Sequence, residues 1–165
     1  LAAPRFANWL HLIPAPLEQI LPASYYHRVE IWRNTAALIG QKPWFGWGID
    51  ASKTFKEAHD YGPLGVHSLI PWHPHNAALH IWLETGLVGA GLLSALVLAL
   101  TLSIVRGLSH DRKAMAGAVA TIGAFCVFAC VSFGVWQAWF LSTAFASAGL
   151  IAALSSERYG DTNAG

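Results

Sequence analysis

Charge is what this sequence has least of. Asp, Glu, Lys and Arg make up 12% of its 165 residues, where a soluble domain usually carries about 25%. The formal net charge is +1, so nothing in the balance argues for a nucleic-acid partner. Cysteine is almost absent. Cys126 and Cys130 stand one helical turn apart in an apolar run, a poor placement for a disulfide, and read as small packing residues. There is no internal repeat and no low-complexity linker. Nor is there a signal-like leader: Phe6–Leu21 is short, and Pro14 and Pro16 interrupt it. Since the sequence opens on Leu1 and three helices offer little interior for a buried site, further helices upstream are expected.

Apolar residues are plentiful, at 55%. Residues 86–105 contain no charge, and neither do residues 114–156. About 20 apolar residues cross a bilayer core, so the first run fits one span and the second fits two. The reading is an all-α integral membrane protein, part of a larger multi-span bundle. An outer helical loop region, 1–75, is followed by transmembrane helices near 79–105, 114–133 and 137–155, then by a tail, 156–165. Arg106, Arg112 and Lys113 lie between the first two spans, and Arg158 follows the third. The positive-inside rule puts these in the cytoplasm and leaves the long segment 1–75 outside. Trp72, Trp82, Trp136 and Trp139 then fall near the outer interface, where indoles concentrate.

Within the outer region, Ser24 reads as a helix N-cap and Gly40 with Pro43 as a stop, giving a helix over Tyr25–Ile39. Arg28, Trp32 and Ile39 share one of its faces. Trp44-Phe45-Gly46-Trp47-Gly48 reads as a tight loop whose aromatics suit either sugar stacking or interfacial anchoring. Residues 50–71 show no clean period and are expected to be irregular.

The candidate chemistry lies at Pro74-His75-Asn76. Proline suits the first turn of a helix, which would set His75 and Asn76 in that turn. The partial positive charge there favours phosphate and disfavours imidazolium, so His75 should stay neutral and able to accept a proton. His75, Leu79, Trp82, Gly86, Gly89 and Leu93 would form one stripe, with the two glycines admitting a neighbouring helix. Arg28 is the cation best shaped for an anionic head group, because its fork matches phosphate oxygens. Arg33 and His73 are weaker candidates for substrate contact. His80 and Glu84, four apart, are expected to pair with each other in a structural role. Five histidines between His59 and His80 invite a metal reading, but His73 and His75 do not share a helical face and no cysteine completes a ligand set.

The pattern His75-Asn76-x9-Gly86-x-x-Gly89 resembles the hallmark of bacterial O-antigen ligases. So do Arg28-Val29-Glu30-Ile31-Trp32 and Pro43-Trp44-Phe45-Gly46-Trp47-Gly48, the likeness covering residues 24–105 well and the later spans by hydropathy alone. The resemblance implies a bacterial inner-membrane, multi-pass enzyme with its active site facing the periplasm. Such enzymes transfer a glycan from undecaprenyl pyrophosphate to a sugar of lipid A-core, without metal, nucleotide or other cofactor. It implies His75 as catalytic base and Arg28 as pyrophosphate ligand; Asn76, Arg33 and His73 are the further candidate substrate contacts. A further functional arginine of the family lies in an earlier loop, so this segment alone should be inactive. O-antigen polymerase and protein O-oligosaccharyltransferase are the alternatives within the superfamily. A non-catalytic transport component holding a lipid phosphate is the alternative of another class. Transporters carry ionisable groups at mid-span, whereas the polar candidates here gather at one interface.

Overall fold

A computed structural model describes residues 22–60, 65–131 and 134–161. The Phe6–Leu21 stretch and residues 162–165 of the tail lie outside them. The first helix, α1, runs Ala23–Gln41. Its N-cap is Pro22, whose carbonyl accepts the Tyr25 N–H at 2.8 Å. Ser24, expected as the cap, therefore lies inside the helix. Proline pre-sets its own φ and wins the boundary. The helix stops ahead of Pro43, which disfavours helical geometry in the residue before it. Ile31, Thr35, Leu38 and Ile39 are buried along one face, following the 3.6-residue period.

Of residues 50–71, the described ones, 50–60 and 65–71, are more ordered than the sequence predicts. Ala51–Thr54 makes one 3₁₀ turn. Strand β1, Ala58–Asp60, pairs antiparallel with β2, Val66–Ser68, with His59 opposite His67. Among the described residues the fold is thus mostly helical with one short antiparallel strand pair, rather than all-α. Three-residue strands are too short to display a period-2 pattern. The core of this polar layer joins Leu38, Ile39, Phe55, Ile70, Leu79 and Leu83, with Trp32, Trp47 and Trp82 against it. Fully burying such a side chain contributes about 1.5–3 kcal/mol.

Helix α2, Ala77–Gly107, begins in that layer and leaves it. Its course breaks at Gly86, where φ is 67° and ψ is −169°. A helix broken there loses intrahelical partners for the carbonyls before the break and the N–H groups after it. The 43–48 loop supplies both. Trp47 and Gly48 donate their N–H groups to the Leu83 and Glu84 carbonyls, each at 2.9 Å. Leu87 and Val88 donate theirs to the Pro43 and Trp44 carbonyls at 2.8 and 3.1 Å. Close approach of two backbones explains the glycines. A Cβ on Gly86 would lie 2.3 Å from Trp44 carbonyl atoms, and one on Gly46 would lie 2.5 Å from the Glu84 carbonyl carbon. Gly86 therefore admits a loop, not the neighbouring helix expected from the sequence. The straight stripe through His75, Gly86 and Leu93 does not form.

Beyond the break, α2 and then α3, Arg112–Val131, are long and apolar enough to cross a membrane. Helix α4, Ala138–Asp161, carries a shorter apolar stretch, Ala138–Ala153. Leu92, Val127 and Phe145 are exposed on these helices, which suits lipid or neighbouring helices. Cys126 and Cys130 are free and exposed too, so they are not packing residues within these helices. The connection between α2 and α3 is closed by Asp111, whose carboxylate accepts the Lys113 and Ala114 N–H groups at 2.8 and 3.0 Å, an N-cap for α3. Nearby, Leu108, Ala118 and Ile151 tie the three helices together.

Candidate functional site

The site is assembled where α1 meets the start of α2. The Trp32 indole donates to the Pro74 carbonyl at 2.9 Å, and Pro74 is among the fully buried residues. This clamps the chain one residue before His75. His75 itself takes a left-handed φ of 54°, a region non-glycine residues occupy sparingly, at a cost of order 1–3 kcal/mol. Asn76 follows as the N-cap of α2, its side-chain oxygen accepting the Leu79 N–H at 3.0 Å. His75 consequently sits outside the helix, not in its first turn. Asparagine is the stronger capping residue, and its choice of Leu79 as partner moves the boundary past the histidine. The Asn76 oxygen is committed to the helix, leaving its amide N–H₂ as a potential donor.

Four groups cluster at this turn. The His73 and His75 rings meet edge to face, their centroids 4.4 Å apart. Arg28 and His27, neighbours on α1, lie close enough for their charges to act on His75. Burial is the largest cause lowering the His75 pKa to about 4, followed by His73, Arg28 and His27. The imidazole is thus neutral over ordinary pH, as the sequence predicts, but chiefly through burial, helped by the neighbouring histidines and the Arg28 guanidinium, instead of the helix terminus. Burial also lowers His73, helped by His80 and opposed by a hydrogen bond to backbone. His27 is lowered by burial and by His67.

Arg28 also has a structural partner. It donates to the Val131 carbonyl at the C-terminal end of α3, at 2.9 Å. A guanidinium carries five N–H donors, so one such bond leaves capacity for an anion. Arg33 is engaged differently: it forms an ion pair with Glu30 one turn back on α1. The turn before α4 reaches the same place, since a Cβ on Gly134 would lie 3.2 Å from the His73 ring.

A buried polar network lies behind the histidines. His80 and Glu84 are 3% and 1% exposed, and His80 Nε2 lies 3.0 Å from Glu84 Oε1, the pairing their spacing predicts. His80 Nδ1 accepts the Val135 N–H at 3.3 Å. An accepting Nδ1 puts the ring proton on Nε2, shared between Glu84 and Ser52 Oγ, itself 3.0 Å away. Glu84 further accepts the Ser52 N–H at 3.2 Å and the Trp136 indole N–H at 2.6 Å. Ser52 Oγ donates to the Trp72 carbonyl at 3.1 Å. The sequence placed the pair correctly but could not show its reach, because the partners come from as far as residue 136. His27 and Ser52 were missed as contributors, and Trp32 was named only for its motif and its helix face, not for its bond to Pro74.

A cavity of about 300 Å³ opens beside this network, lined by Asp50, Lys53, Trp72, His73, His80, Gly134, Trp136 and Gln137. His75 and Arg28 do not line it; His73 is the shared wall.

Residues 19–94 match the family model described as O-antigen ligase. Several rickettsial proteins bearing the provisional name polysaccharide ligase are similar. One from Rickettsia conorii is 34% identical over 121 residues, 71% of this chain and 29% of its own length. One from Rickettsia felis is 32% identical over the same length. One from Rickettsia typhi is 33% identical over 120 residues, 70% of this chain. The chain thus spans about 29% of the length of the curated relatives it matches. No solved structure matches it.

Proposed function

We propose, for a chain that belongs to the O-antigen ligase family, that it forms the catalytic loop and the helices after that loop in a membrane glycosyltransferase. The donor is a glycan on undecaprenyl pyrophosphate, and the acceptor is a sugar hydroxyl of lipid A-core. The protein is a multi-pass component of the bacterial inner membrane, with α4 as the third span of this segment and the polar layer facing the periplasm. One observation carries the reading: the Trp32 indole of the Arg28-x-x-x-Trp32 element fixes the Pro74 carbonyl, directly before His75, and Arg28 stands one turn earlier on the same helix.

Neutral His75 removes the proton from the acceptor hydroxyl. The acceptor oxygen forms a bond to the anomeric carbon, and the bond from that carbon to the pyrophosphate oxygen breaks. The departing undecaprenyl pyrophosphate keeps the electron pair, and Arg28 stabilises the growing negative charge. Attack from the face opposite the leaving group inverts the anomeric configuration. His73 and Asn76 contact the substrates at the edge of the turn. Arg33, held by Glu30, acts through the shape of α1.

The test is transfer from purified lipid-linked donor to acceptor by the full-length enzyme and by His75→Ala. A retained anomeric configuration, or near-normal transfer by His75→Ala in protein that reaches the membrane, would overturn the assignment.

A further inference from the structure

The geometry points to a pyranose-binding subsite for the acceptor glycan in the cavity between Trp72 and Trp136. This inference rests on the transferase reading and adds where the acceptor is held. At about 300 Å³, the cavity is at the small end of ligand pockets, a size for a short sugar segment and not for a lipid. Its lining combines two kinds of group. Trp72 and Trp136 are 73% and 42% exposed, so each offers apolar ring surface at the cavity wall. Between them come the Asp50–Lys53 pair, about half exposed at 2.7 Å, and the Gln137 amide. A pyranose presents the matching chemistry: an apolar C–H face for an indole and a rim of hydroxyls for carboxylate, ammonium and amide.

The Trp136 indole and the Trp72 backbone are built into place. The Trp136 N–H is held by Glu84 at 2.6 Å, and the Trp72 main-chain carbonyl by Ser52 Oγ at 3.1 Å. Ser52 and Glu84 belong to one buried network with His80, so a single polar core sets the ring of one wall and the backbone of the other. Gln137 is oriented as well, because its oxygen accepts the Trp139 indole N–H at 2.5 Å. That turns the amide nitrogen end into the available donor. Backbone strain concentrates in the same place. Among the described residues, the non-glycine positions with left-handed φ are Asp50, Trp72 and His75. Two line this cavity and the third is the proposed base. Such strain persists where surrounding contacts enforce it, commonly at ligand sites.

The position favours the acceptor over the donor. His73 lines the cavity and packs against His75, so a sugar held here borders the base. Arg28, the group suited to the donor's pyrophosphate, is not part of the lining.

The probe is lipid-free core oligosaccharide, released by mild acid from the host's lipopolysaccharide. It is added to the full-length enzyme in detergent, and saturation-transfer NMR reads binding without turnover. Wild type and His75→Ala should saturate the sugar protons alike. Trp72→Ala, whose side chain lies outside the core, should lose most of the signal, and Trp72→Phe should regain part of it. In turnover, Trp72→Ala should raise the acceptor KM about tenfold with the donor KM unmoved. Undiminished signal in Trp72→Ala, no signal in wild type, or a rise in the donor KM alone would overturn the subsite. The transferase reading is judged separately: it falls if His75→Ala transfers normally, whatever the sugar-binding result.

Discussion

The two sides of Gly86 are built on different principles. The described residues between 22 and 85 form a polar layer joined by side-chain contacts between distant parts of the chain: Trp32 with Pro74, Ser52 with His80, Glu84 with Trp136. From Gly89 to Gly107, and again through most of α3, side chains are largely exposed and the helices are long and apolar enough to cross a membrane. In hydrocarbon a helix is self-sufficient, and it needs only composition. In the layer, composition decides little and partners decide almost everything. The candidate site lies in the layer, where side chains from distant parts of the chain are held against one another.

The sharpest way to break this comparison is at His75. General-base assistance is typically worth about 10²–10⁴-fold, so His75→Ala in the full-length enzyme should lose transfer on that scale. A truncation of similar kind on the apolar side, Leu96→Ala at a 55% exposed position, should leave the rate nearly unchanged. Both are read by donor-to-acceptor transfer, normalised to protein in the membrane fraction. A comparable loss from both would mean that chemistry is not confined to the layer.

The glycines sharpen it next. Gly86→Ala puts a Cβ 2.3 Å from the Trp44 carbonyl and a side chain at φ 67°. Backbone strain alone costs about 1–3 kcal/mol, and the clash adds to it. Gly91→Ala meets nothing within 4 Å and should be neutral or slightly favourable, since alanine is the better helix former by about 1 kcal/mol. Thermal unfolding in detergent should therefore show a lower Tm for Gly86→Ala and an unchanged or higher one for Gly91→Ala. Equal behaviour would show that the break at Gly86 is not a fixed feature.

The same division sets what can be read from sequence. The helices were legible because charge-free runs of some 20 residues have one stable solution in lipid. Most of α1 was legible from Pro43 beyond its end, although Gly40, expected to stop it, lies inside the helix, which runs on to Gln41. The His80–Glu84 pair was legible because both partners lie on one helix. The break at Gly86 was not, because Gly86-x-x-Gly89 inside an apolar run looks the same whether it admits a helix or a loop. The Asn76 cap was hidden by Pro74, since both residues are good helix starters and only the tertiary clamp by Trp32 separates them. The cavity was invisible, for its walls come from residues 50–53, 72–80 and 134–137.

Arg28→Lys separates two jobs of one side chain. Lysine can still donate to the Val131 carbonyl, so the contact between α1 and α3 survives. It cannot present a fork to pyrophosphate. One charge-assisted hydrogen bond is worth about 1.5–3 kcal/mol, so donor use should fall roughly ten- to hundredfold while Tm holds. Loss of Tm with an unchanged donor KM would assign Arg28 to structure alone.

The smallest expected effect is the most diagnostic of the layer's electrostatics. A histidine acting as base works in its neutral form, so its rate contribution falls as pH drops through its pKa. At the ordinary value of about 6.5, lowering the pH from 7.5 to 5.5 would cut the neutral fraction roughly tenfold. With the pKa held near 4 by burial, His73, Arg28 and His27, the same change should alter kcat less than about twofold. The stability sign runs the same way. The native state binds fewer protons than the unfolded chain between about pH 4 and 6.5, so His75 contributes stability that is complete above that window and fades as pH falls through it. Removing a neighbouring cation should move the limb. Arg28→Ala should shift the acid limb of the residual activity upward toward the ordinary histidine range, though not all the way, because burial is the larger cause. A wild-type limb centred at 6.5, or one that Arg28→Ala leaves in place, would mean that His75 is not the group whose proton is lost.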